Sequence, residues 1–148
     1  MTKARNVATS TNLSMTSPRE VTTASGTGIS ATTNFDLLTQ GVYISTASAT
    51  ANTTVNFRGN SSTTLASTMA TNEAWTGSLM ITNGASTAYY VTAVQVDGTT
   101  SGVTTKWSGG TAPAAGNLSS ADAYSFTVVK TAATPTYTVY AAGPVKYA

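Results

Sequence analysis

Histidine and cysteine are both absent from this 148-residue chain, and only seven Lys/Arg and five Asp/Glu side chains carry charge. Without histidine there is no ordinary base to activate a serine, and without cysteine there is no thiolate nucleophile. Neither a Ser-x-x-Lys nor a Gly-x-Ser-x-Gly pattern occurs. Zinc, copper and iron sites rest mainly on His and Cys, so none is expected. Calcium asks for several oxygen ligands in a short loop, whereas the acids here stand at least 16 residues apart. Gly26-Thr27-Gly28 lacks the third glycine of a dinucleotide loop and any following Gly-Lys. A glycosidase pair would require Asp97 and Asp122 to face each other, which only pairing of their strands would achieve. The expectation is a protein that is not an enzyme and holds no cofactor or metal.

Large aliphatic residues are scarce as well. Leu, Ile, Val and Phe together number 24, about 16% of the chain. No run approaches the ~20 apolar residues of a membrane-spanning helix, and the N-terminus has no secretory apolar region. No membrane partner is expected. The Asn-x-Ser/Thr triplets at Asn12, Asn52, Asn60 and Asn117 then read as accidents of composition, and the lack of cysteine suits synthesis in a reducing cytoplasm.

What fills the chain is hydroxyl: 32 threonines and 17 serines. Threonine is β-branched, stiff at χ1, and suited to a pleated strand. With a net charge of only +2, the composition fits a thin-cored β domain better than a disordered chain. Seven tyrosines and two tryptophans supply much of the apolar area. A core so small implies burial against other subunits, hence a homo-oligomer, with a trimer as one option.

Residues 1–34 show no sustained period and read as an extended N-terminal arm, ordered only where it lies against something. The arm holds the entire excess charge. Lys3, Arg5 and Arg19 outweigh Glu20 there, while the four cations and four acids beyond it cancel. These three cations are candidate assembly contacts. They are too dispersed for a nucleic-acid footprint.

Residues 35–148 form the expected β domain. Alternation marks strands around Val42–Ile44, Val55–Phe57, Trp75–Ile81, Thr87–Val96, Val103–Trp107, Tyr124–Val128 and Tyr137–Ala141. Leu65 and Met69, four apart, predict one short helix. Asn83-Gly84 reads as a turn, Asp97-Gly98 as the start of a hairpin, and Ser108–Ala121 as a loop that Asp122 orders. No fixed period of 20 to 50 residues is evident, so a solenoid is not expected. The fold class predicted is all-β, an antiparallel sandwich or jelly-roll-like barrel of about seven strands. Tyr89 and Tyr90, adjacent in a predicted strand, should point to opposite faces. With Trp107 beside its glycine-rich loop, they are the candidate surface-binding aromatics.

Several short motifs carry a resemblance. Thr39-Gln40-Gly41-Val42-Tyr43, Asn56-Phe57-Arg58-Gly59-Asn60 and Val94-Gln95-Val96-Asp97-Gly98 are similar to a module in structural proteins of tailed bacteriophages, notably those of marine cyanobacteria. So are Lys106-Trp107-Ser108-Gly109-Gly110-Thr111-Ala112-Pro113, Gly116-Asn117, Asp122-Ala123-Tyr124-Ser125-Phe126-Thr127, Lys130-Thr131 and Tyr137-Thr138-Val139. The match covers roughly residues 35 to 142. It implies a virion β-module without catalysis, made in the bacterial cytoplasm and partnered by other capsid or tail proteins. The resemblance leaves head or tail open: the short chain with its basic arm fits head decoration or cement on a commonly acidic capsid surface, and the alternative is a tail or tail-fibre-associated adhesin for a host-surface glycan or protein. The chain departs from fibres in having no shaft, collagen-like run or heptads.

Overall fold

The computed structural model describes residues 20–148, which form nine strands, one short helix and one 3-10 turn. Strands β1 (Thr22–Ser25), β3 (Val42–Ser45), β5 (Ala74–Asn83) and β7 (Val103–Trp107) belong to one sheet. Strands β2 (Thr32–Asp36), β4 (Thr53–Arg58) and β6 (Val91–Val96) belong to another. The chain thus crosses from sheet to sheet at every step. Within each sheet the successive strands run parallel: β1 on β3 on β5, and β2 on β4 on β6. This is a short coil of three turns.

The last two strands, β8 (Ser120–Ala132) and β9 (Thr136–Tyr147), form a long hairpin inserted into the larger sheet. β8 runs antiparallel to β5, and β7 lies parallel on the far side of β9. The order of that sheet is β1-β3-β5-β8-β9-β7.

The β-rich class with one short helix stands, and the antiparallel sandwich expectation is corrected. Antiparallel pairing is confined to β5, β8 and β9, apart from an isolated bridge between Val96 and Thr99. The reason lies in two connections. Asn83-Gly84 and Asp97-Gly98 were expected to turn a strand back on its neighbour, but each joins strands of different sheets. Alternation of period two looks the same whether the next strand pairs alongside or crosses to the facing sheet.

The chain coils, yet without a fixed period, as the sequence suggests. Thr22 pairs with Val42 and Asn34 with Asn56, offsets of 20 and 22 residues. At the next turn the offset widens to 36 between Ser45 and Ile81, and to 39 between Thr54 and Ala93. The helix α1 (Leu65–Thr68) and its flanks lie within that longer turn and break the period.

Strand pairing begins before Phe35, since β1 and β2 are already paired. Two glycines show how tightly the coil is wound. A Cβ on Gly28 would collide with the Ser48 carbonyl oxygen of the next turn. One on Gly77 of β5 would strike the Phe35 ring, 2.8 Å away, from the opposite sheet.

The core fills the space between the sheets. The smaller sheet contributes Phe35, Val55, Phe57 and Val96, and the larger Leu79, Ile81, Tyr124, Phe126, Val128 and Val139, all essentially without solvent contact. Aromatic rings bridge the layers. Phe35 and Phe57 stack tilted at 5.4 Å along the coil, and Phe57 meets Phe126 edge-on at 5.2 Å across it. Such pairs add roughly 0.5–1.5 kcal/mol beyond burial.

Candidate functional surfaces

The ionised side chains among the described residues are largely engaged within the fold. Asp36 and Arg58, register partners on β2 and β4, form a two-pronged ion pair. Asp97, at the end of β6, accepts the backbone N–H groups of Leu65 at 2.7 Å and Ala66 at 2.9 Å. Those are unpaired donors of the first turn of α1, where a carboxylate is favoured. Lys130 of β8 is buried and donates from Nζ to the carbonyls of Ala66 and Met69, both at 2.7 Å. The four-residue helix is therefore clamped at both ends, by an acid from one sheet and a base from the other.

Asp122 has no solvent contact. Its carboxylate accepts from the Asn117 backbone N–H and side-chain amide, both 2.8 Å, from Asn83 Nδ2 at 3.1 Å and from Ser120 Oγ at 3.3 Å. Four donors spread its charge, so burial is compensated without a cation. Asn83 also brackets Tyr89, donating to its carbonyl and accepting from its N–H. Asp122 does order the loop before β8, as the sequence suggests. It does not meet Asp97, because their strands lie in different sheets.

Glu73 accepts from Trp75 Nε1 at 2.9 Å and from the Ala70 N–H at 2.7 Å. The indole hydrogen bond first, and the backbone one second, hold its carboxyl below the usual range. Burial pushes the Tyr124 phenol well above its ordinary value. It pushes Tyr137 up to about 12, with the nearby Asp97 charge adding to the effect.

The sequence-predicted aromatics separate. Tyr89 and Tyr90 precede β6, which starts only at Val91, and both are half-buried against the core. The expected division into one inward and one outward ring is corrected. The backbone there is held by Asn83 and, at Tyr90, by Asn52 Oδ1, so strand alternation does not apply. Trp107 ends β7, half-buried and edge-on to Phe126 at 6.4 Å. It lines an open groove of about 320 Å³ with Lys106 and Tyr140. Tyr140 is 51% exposed, and the Lys106 ammonium stands 5.9 Å from its ring centre. Lys3, Arg5 and Arg19 lie outside the described residues.

One surface escaped the sequence reading. Register places Ala24, Ile44, Met80, Ala123 and Val145 in one row across β1, β3, β5, β8 and β9. The buried residues of β5 and β8 alternate with Met80 and Ala123, so this row faces away from the core. Val145 and Tyr147 are more than half exposed and border a groove of about 250 Å³ beside Met80. No sequence signal announces such a row, because its members come from five separate strands.

Among the described residues no three His, Cys, Asp or Glu side chains gather as a metal site, and no helix is long and apolar enough to cross a membrane. Comparison of the chain with protein-family models, curated proteins and solved structures finds no match.

Proposed function

We propose that this chain is a non-enzymatic structural protein of a tailed-bacteriophage particle, a small head-decoration or cement protein that associates with copies of itself and with the capsid. The observation that carries this reading is the outward row Ala24, Ile44, Met80, Ala123 and Val145 on a face of the six-stranded sheet that no other element among the described residues covers. A β-sheet face with an apolar row and a hydroxyl-rich surround suits a second copy of the same chain. It adds buried area to a thin core. Asp36, Glu73, Asp97 and Asp122 all serve internal contacts, which fits a building block. The motif resemblance supplies the virion context, and the cations of the N-terminal segment suit an acidic capsid surface.

The test is deletion of residues 2–19, which spares β1 at Thr22–Ser25. Loss of incorporation into particles with the β domain still folded is the expected result, and unchanged incorporation contradicts attachment through this segment.

The second reading is a tail-associated adhesin for a host-surface glycan or protein. Its specific support is the groove of Trp107, Tyr140 and Lys106, which offers an aromatic edge, an exposed ring and a cation together. Trp107→Ala should then abolish binding of the purified protein to host cells, and failure of the unmodified protein to bind removes this reading.

A further inference from the structure

The Trp107 groove is built on three adjacent strands. Register sets Lys106 of β7 beside Tyr140 of β9, and Tyr140 beside Thr127 of β8. One step along, Trp107, Ala141 and Phe126 form the next row. Alternation turns the first row outward, because Phe126, Val128, Val139 and Ala141 on either side of it are buried. Trp107 is braced edge-on against Phe126 at 6.4 Å. Gly109 and Gly110, both at positive φ, make the tight turn that follows Ser108. The ring and the cation thus stand on paired strands in fixed positions, as a recognition site requires.

Three kinds of chemistry meet in the lining. Trp107 and Tyr140 offer aromatic surface, whose electron-rich faces attract the C–H face of a sugar ring. Ser108, Ser125 and Thr127 bring hydroxyls, each able to donate and to accept. Lys106 is the one charged residue of the lining, and no Asp or Glu faces it there. Asp36–Arg58 is the single ion pair among the described residues, so the Lys106 ammonium has no acid partner among them. A neutral sugar would use the rings and the hydroxyls and leave this ammonium unpaired. A sugar bearing a carboxylate uses all three. The volume of about 320 Å³ lies at the small end of ligand clefts, which limits the contact to a short stretch of saccharide.

We propose that the Trp107 groove binds an acidic saccharide, with Lys106 pairing to the carboxylate while Trp107 and Tyr140 pack on the sugar ring. This inference rests on the adhesin reading of the groove and adds the charge class of its ligand. A single such site is weak, and copies arrayed on one particle add avidity.

The two tryptophans supply the readout, since each gives its own indole N–H resonance. Trp75 donates its indole N–H to Glu73 and serves as the internal control. Titrating the full-length protein with methyl β-glucuronide should shift the Trp107 resonance and leave that of Trp75 in place. Methyl β-glucoside, identical but for the carboxylate, should bind about fivefold more weakly at low salt, the scale of one exposed ion pair. Lys106→Met should bind both sugars equally, whereas Lys146→Met, which removes an exposed cation outside the groove, should keep the preference. A preference retained in Lys106→Met overturns the proposal. Equal affinity of the unmodified protein for the two sugars also overturns it, and leaves the adhesin reading standing on a neutral ligand. No shift of Trp107 with either sugar overturns it outright, and binding of the protein to host cells then decides whether the adhesin reading falls as well.

Discussion

At the scale of single residues, buried polar groups carry more of the specification than the thin hydrophobic core suggests. Asp122 is the sharpest case, since its removal leaves the donors of Asn83, Asn117 and Ser120 without their acceptor. Asp122→Ala should cost on the order of 3 kcal/mol, read as a lowered urea midpoint, because charge-assisted hydrogen bonds and orphaned donors are lost together. A loss near zero would show that water satisfies the loop equally well. The tyrosines give a pH signature. Tyr137 holds its proton up to about 12, whereas the unfolded chain releases it near pH 10. Above pH 10 the unfolded state therefore binds fewer protons, and stability falls as pH rises from about 10 to 12. Alkaline denaturation followed by circular dichroism, with phenolate absorbance recorded in parallel, should show late-titrating tyrosines ionising only as structure is lost. Ionisation of every tyrosine near pH 10 with the fold intact contradicts their burial.

At the scale of elements, α1 is the clearest case of tertiary contacts overriding length. A single isolated turn has no stability of its own. Here Asp97 holds the N–H groups at one end and Lys130 the carbonyls at the other. Asp97→Ala and Lys130→Met should each lower stability by about 1–3 kcal/mol in chemical denaturation, and the double variant should lose less than the sum because both act on one helix. Strict additivity would mean the two clamps are independent. The sequence located this helix from Leu65 and Met69, and it located most strands from alternation, because burial of one face leaves that mark on any half-buried strand. Pairing partners left no such mark. Asn83-Gly84 and Asp97-Gly98 have turn composition, but their side chains serve Tyr89, Asp122 and α1 rather than a hairpin. The coil left no fixed period in the sequence because α1 and its flanks lengthen its second turn. Of the candidate site, Trp107 was legible as a tryptophan beside a glycine-rich loop. Its partner Tyr140 was not, because β7 and β9 meet only through sheet order.

At the scale of the whole molecule, two features point outward: the apolar row on the larger sheet and the Trp107 groove at its other end. If the row is the contact between copies, Met80→Asp or Val145→Asp should shift the protein to a smaller species in analytical ultracentrifugation without unfolding it. An unchanged sedimentation coefficient contradicts that contact. The central claim is that this chain is a component of a phage particle, used in many copies on the head. Quantitative mass spectrometry of purified particles, reporting copies per virion, tests it most directly. Hundreds of copies are predicted. A few to some dozens would move the chain to the tail, and its absence from intact particles would contradict the account.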